Sequence, residues 1–213
     1  MESLEKRVVF ASGDLLVSEF LANPASSDGP FEYVELVATR AINFATTPYS
    51  VVWANNGTAT TNGWIAGGDT TYGFNISTGS VIAGDVVYVG GSSMAPTGTK
   101  LRTITTSTTA GDTFGTSGGI AGNLGNGGAN SDAIAVFDVA ASAITSTTVP
   151  IDANFFGTGN GTAVVTAGAA GYQLPVNDRY SGGKLQAASF LAPDPASGQV
   201  TIATGTYDVG ANT

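Results

Sequence analysis

The chain contains no cysteine and no histidine. Without cysteine there is no disulfide framework, so the fold must be held by its core, by a bound cation such as calcium, or by assembly. The joint absence also removes Ser-His-Asp and Cys-His nucleophile systems, structural zinc and every His-ligated metal. Charge is scarce as well. Asp, Glu, Lys and Arg make up 11% of the chain, against about 25% in an average globular protein. Lysine occurs only at Lys6, Lys100 and Lys184. The net charge of −9 comes from 16 acidic and 7 basic residues. No basic stripe exists to seat a phosphate backbone, which excludes nucleic acid as a partner. An acidic surface also disfavours anionic lipid, while cation binding is left open. No apolar run approaches the roughly 18 residues of a membrane helix, so membrane insertion is not expected. Between Met1 and Gly13 the only apolar run is Val8-Val9-Phe10, too short for the core of a signal peptide. The remaining composition reads as extracellular or cell-surface, so the numbering is expected to start at a mature or recombinant N-terminus.

What the chain has in quantity is glycine, with 30 residues, and threonine, with 28. A surface of Thr, Ser, Asn and Gly suits exposed β-structure: Thr favours strands, and Gly and Asn serve turns. Hydrophobic residues at 42% supply a real core. Strands are expected over 14–21 (DLLVSEFL), 31–38 (FEYVELVA), 49–54 (YSVVWA), 71–77 (TYGFNIS), 86–89 (VVYV), 100–106 (KLRTITT), 133–139 (AIAVFDV), 151–156, 162–166 and 200–203, with a fragment at Val8–Phe10. In the second of these, Phe31, Tyr33 and Glu35 share one face and Glu32, Val34 and Leu36 the other. Helical spacing also fits Phe31, Val34, Ala38 and Ala41, but flanking prolines and β-branched and aromatic content favour a strand. Residues 111–130 hold eight glycines without a period and read as a long loop inside one domain. Many short strands between Gly, Asn and Pro turns, without a long helix, predict an all-β antiparallel sandwich or barrel. Residues 14–213 form one domain in this reading, and residues 1–13 a flexible N-terminal segment or exchanged strand.

The run Leu15-Leu16-Val17-Ser18-Glu19-Phe20-Leu21-Ala22-Asn23-Pro24, followed by Phe31-Glu32-Tyr33-Val34-Glu35-Leu36, resembles the opening of bacterial lamin-tail-type domains. There an apolar strand ending in Glu and an apolar residue leads to Asn-Pro, a short turn, and a strand of the form Glu-aromatic-Val-Glu-Leu. Asn62-Gly63-Trp64, the element Val81-Ile82-Ala83-Gly84-Asp85-Val86-Val87-Tyr88-Val89, Phe137-Asp138 and the run from Asp152 to Gly157 are similar to later parts of the family pattern. The segment from Val37 to Gly63 is longer than the family spacing, and the Gly-rich loop has no counterpart. The resemblance implies an immunoglobulin-like β-sandwich, carried by secreted or surface bacterial proteins as a binding or structural module, without a catalytic site.

Candidate chemistry is confined to carboxylates and aromatics. Glu19, Asp28, Glu32 and Glu35 are the candidate metal ligands, because calcium takes several hard oxygen donors. The competing reading gives Glu19 and Glu35 to the fold, paired with a base such as Arg40 or accepting backbone N–H bonds. A glycosidase pair needs two carboxyl groups facing across a sugar cleft, and no other feature of the chain supports one; no enzyme is expected. Trp53, Trp64, Tyr49, Tyr72 and Phe74 would stack a carbohydrate ligand if exposed, but large aromatics on strands favour the core. Asp178-Arg179-Tyr180 near Lys184 reads as a local salt bridge or turn. The triplets at Asn56, Asn75 and Asn160 match glycosylation acceptors but arise readily in so Thr- and Asn-rich a chain. The expectation is a non-catalytic structural subunit of an extracellular bacterial assembly (filament, matrix or surface layer), self-associating through strand edges and the terminal segments 7–12 and 199–208. No cofactor is expected of such a subunit; the alternative is a monomeric secreted adhesion or ligand-binding module, in a calcium-dependent or a calcium-free form.

Overall fold

Apolar side chains recur at every second residue through 15–17 and 34–38, the period that gives a strand one buried face. The computed structural model describes residues 13–25, 31–54, 71–90, 101–105, 132–145, 147–156 and 197–202. Eleven strands occur among them: β1 (Leu15–Leu21), β2 (Tyr33–Ala38), β3 (Ile42–Asn43), β4 (Tyr49–Ala54), β5 (Thr71–Ile76), β6 (Ser80–Val81), β7 (Val86–Gly90), β8 (Leu101–Thr105), β9 (Asp132–Phe137), β10 (Asp152–Phe156) and β11 (Thr201–Ile202). Apart from a 3₁₀ turn at Ala141–Ala143 and a helical residue at Phe31, the described residues form strands and their connections, so the described chain is all-β. No helix among the described residues is long and apolar enough to cross a membrane. The expected elements at Val8–Phe10, Trp64, 111–130, Thr162–Thr166 and Asp178–Tyr180 lie outside the described residues, as do the Asn56 and Asn160 triplets.

Five strands pair in the order β11-β1-β2-β7-β8 and four in the order β10-β9-β4-β5, with β3 and β6 as a separate two-stranded ribbon. All pairings are antiparallel except β7 with β8. The turn into β7 shows how sequence sets this path. Gly84 takes φ 85°, a left-handed conformation that glycine adopts without steric penalty. Asp85 Oδ2 accepts the Ile82 N–H at 3.0 Å, closing the turn. The Gly84 N–H then donates to Ala38 O at 2.8 Å and the Ala38 N–H to Asp85 O at 2.9 Å, which delivers β7 against β2.

One buried cluster draws from both large sheets. Leu15, Val17, Phe20, Val34, Leu36, Val87 and Val89 come from the five-stranded sheet; Val51, Trp53, Phe74, Ile76, Ile134, Val136 and Phe156 come from the other. Phe20 meets Phe156 across the gap at 4.7 Å between ring centroids. Each such side chain contributes about 1.5–3 kcal/mol by leaving water. The aromatics at 49, 53 and 74 are therefore core: Tyr49, Trp53 and Phe74 are all buried, and Trp53 packs on Phe74 at 4.6 Å. The four-stranded sheet is covered on its second face too. Every residue of β9 is buried, as is Val52 on β4. Part of that cover comes from the stretch after β9. Ser50 Oγ donates to Val139 O at 2.8 Å, and the Ala141 N–H donates to Asn75 Oδ1 at 2.8 Å.

Candidate functional site

Strand β1 carries an irregularity that decides where its carboxylate points. Leu15, Leu16 and Val17 pair with Ala38, Val37 and Leu36, and the register then slips so that Glu19 pairs with Glu35 and Phe20 with Val34. Ser18 is the extra residue of this bulge. Without the bulge, Glu19 would continue the Leu15–Val17 face into the core, where an ionised carboxylate is costly. With it, Phe20 and Ala22 take over the buried face, and Glu19 moves to the opposite one.

Glu19 and Glu35 thus stand as direct neighbours on adjacent strands, each half-buried. Like charges so placed repel, and hydroxyl donors offset this. Tyr33 donates its phenol to Glu19 Oε1 at 2.7 Å. Ser18 Oγ donates to Glu35 Oε1 at 2.6 Å. Tyr88, opposite Glu35 in the β2–β7 ladder, also hydrogen-bonds Glu35. The two tyrosine rings lie 5.2 Å apart. Burial first, and then the hydrogen bond to Glu19, push the Tyr33 phenol well above its ordinary range. Burial and the bond to Glu35 do the same for Tyr88. A phenol is already protonated at neutral pH, and these upward shifts carry both donors further into the alkaline range. The group is an acceptor pair with its donors built in.

Of the four candidate metal ligands, the structure brings Glu19 and Glu35 together. Glu32 does not join them: it is fully buried, one residue before β2, with the parity of Val34 and Leu36. Asp28 lies outside the described residues. Among the described residues no three His, Cys, Asp or Glu side chains converge on a point. Arg40 serves neither glutamate. It pairs with Asp14, whose Oδ2 also accepts the Tyr49 hydroxyl at 3.1 Å. Burial, then the Asp14 charge, push Tyr49 up to about 12.

The edge of β1 away from β2 is the second feature. Among the described residues β11 pairs opposite Glu19 and Phe20, and the Gly198 N–H continues the same register by donating to Asn23 O at 2.6 Å. Gly198 has φ 75°, and a Cβ there would stand 3.2 Å from the Ala25 Cβ. Both the backbone sign and the close approach call for glycine. On the other side of this short ladder, the Val17 N–H is met by Asp152 Oδ2 at 2.7 Å, a carboxylate supplied by the opposite sheet.

Sequence reasoning missed Tyr33, Tyr88, Ser18 and Asp152. Tyr33 was accessible in principle, since it precedes Glu35 by two residues and shares its face. Tyr88 and Asp152 meet their partners only through non-local pairing, which leaves no local signal. Compared with family models, curated proteins and solved structures, the chain finds no match.

Proposed function

We propose that the chain is a non-catalytic structural subunit of an extracellular or cell-surface assembly, an immunoglobulin-like, lamin-tail-type β-sandwich that joins copies of itself through sheet edges. The observation that carries this reading is the edge of β1, seven residues long, of which β11 covers two among the described residues. An incompletely paired edge is a template for another strand, and proteins that must stay apart guard such edges with lysine or proline. None of the described strands contains either residue. The sandwich itself is supported by the core shared between the two large sheets and by the Val17–Asp152 bond between them.

Size-exclusion chromatography with light scattering, then negative-stain microscopy, tests the reading. Ordered high-mass polymers are expected from the intact chain, and their loss on deleting residues 197–213. A stable monomer at every concentration would overturn it.

The Glu19–Glu35 pair favours a second reading, a monomeric binding module that takes calcium on its outer sheet face. That reading expects a melting temperature that rises with calcium, through binding to the folded state alone. The rise would vanish in Glu19→Gln/Glu35→Gln.

A further inference from the structure

We infer that the edge of β1 takes the segment 197–202 of a second copy of this chain, in the register that the chain's own segment adopts. The inference rests on the self-association proposed above and names its partner.

The edge is a bounded slot. At one end Asp152 Oδ2 occupies the Val17 N–H, so an added strand cannot extend its ladder toward Leu15. At the other end stands Pro24, which has no N–H to give. Between them, Glu19 pairs with Ile202, Phe20 with Thr201, and Asn23 O with the Gly198 N–H. These three contacts share one register, so a single strand of fixed phase fits the slot. The segment that fills it, Ser-Gly-Gln-Val-Thr-Ile, is uncharged and meets no repulsion from the net negative chain. Its Gly198 fits against Ala25, a contact that only glycine makes without strain.

Nothing in these contacts depends on the two strands belonging to one chain. Each backbone hydrogen bond of the described ladder is worth about 0.5–1.5 kcal/mol net, whichever copy supplies the strand. Residues 157–196 lie between β10 and the segment 197–202 in sequence, a contour length that can reach the chain's own edge or a neighbour's. Exchange of an identical element between copies keeps every contact and adds no new one. If it passes from copy to copy without closing, the product is a filament; the same slot and the same segment serve each link.

The absence of cysteine makes this testable. Glu19 and Ile202 are register partners, and residues so paired on antiparallel strands sit within the Cα separation a disulfide spans. Glu19→Cys and Ile202→Cys chains, one with a size tag, are mixed, unfolded together, refolded and oxidised. Mixed-size disulfide dimers are expected, rising with protein concentration. The double variant Glu19→Cys/Ile202→Cys is expected to give a ladder of covalent oligomers on a non-reducing gel. Light scattering of the unsubstituted chain is run in parallel. If it polymerises while the double variant closes only within single chains, exchange at this edge is overturned and self-association stands. If it is monomeric, both fall. If neither cysteine experiment yields a disulfide, the register itself is wrong, and the inference falls with it.

Discussion

Adding one residue to a strand exchanges its two faces, and at Ser18 that exchange separates a carboxylate from the core. The run Leu15-x-Val17-x-Glu19 has the alternation of a buried face up to its last member. Burying that glutamate would cost more than the local disruption of a bulge, so the strand slips and Phe20 takes the inside place. Asp152 serves the backbone in the same way, its Oδ2 accepting the Val17 N–H at 2.7 Å. Asp152→Ala leaves the Val17 N–H without that partner, and a loss of about 1–3 kcal/mol in unfolding free energy is expected from urea titration. The tyrosines make a second prediction at this scale. A free phenol ionises near pH 10, whereas Tyr49 is pushed up to about 12 and Tyr33 and Tyr88 further still. Between those values the folded chain holds protons that the unfolded chain has released. Stability from Tyr49 is therefore complete below about pH 10 and falls as pH rises toward about 12. Phenolate absorbance during alkaline titration should show Tyr49 ionising near the upper value, and Tyr49→Phe should remove that step. Ionisation of all seven tyrosines near pH 10 in the folded chain would contradict the assignment.

Among the elements, β9 has the strictest environment. All six of its residues are buried, and Ala135 lies between Val52 on β4 and Ala153 on β10. Ala135→Asp would place a charge there with no partner, and a loss of about 3–5 kcal/mol is expected. Ile82→Asp, at a side chain 63% exposed in the turn before β7, should change stability by no more than about 0.5 kcal/mol. Equal effects in thermal melts would show that the second face of β9 is open to water. Burial of β9 was legible in the sequence, because an unbroken Ala-Ile-Ala-Val-Phe run has no polar face to offer. β1, β2, β4, β5, β7 and β10 were legible from alternation or apolar content bounded by turn residues. β3 and β6 were not, since two residues cannot display a period. The parallel pairing of β7 with β8 was also hidden, because partner choice between distant segments leaves no mark in either one. The candidate site was half legible. Glu32 and Glu35 differ by three, an odd number, which places them on opposite faces of any strand; their exclusion from one another's company follows from counting. The approach of Glu19 to Glu35 depends on a bulge that alternation alone does not announce.

For the whole molecule, the balance between attraction and repulsion is set by a composition with few charges of either sign and a net charge of −9. A backbone ladder between copies involves neutral dipoles and hardly responds to salt. The repulsion that opposes it does respond, because the screening length falls from about 30 Å at 0.01 M salt to about 8 Å at 0.15 M. Copies approaching edge to edge come closer than the first distance, so at low salt each feels much of the other's net charge. Raising salt between these limits should then shift the chain from small species toward polymers, with the mean mass in light scattering rising at fixed protein concentration. Calcium at the same ionic strength separates the two functional readings. If it acts only by screening, it matches sodium chloride, and assembly runs through the strand edges. If it raises the melting temperature at matched ionic strength while the mass stays that of a monomer, the carboxylates on the outer sheet face are a binding site. Polymers that dissolve as salt rises would mean that contacts between opposite charges hold the copies together, and the strand-edge account would then be wrong.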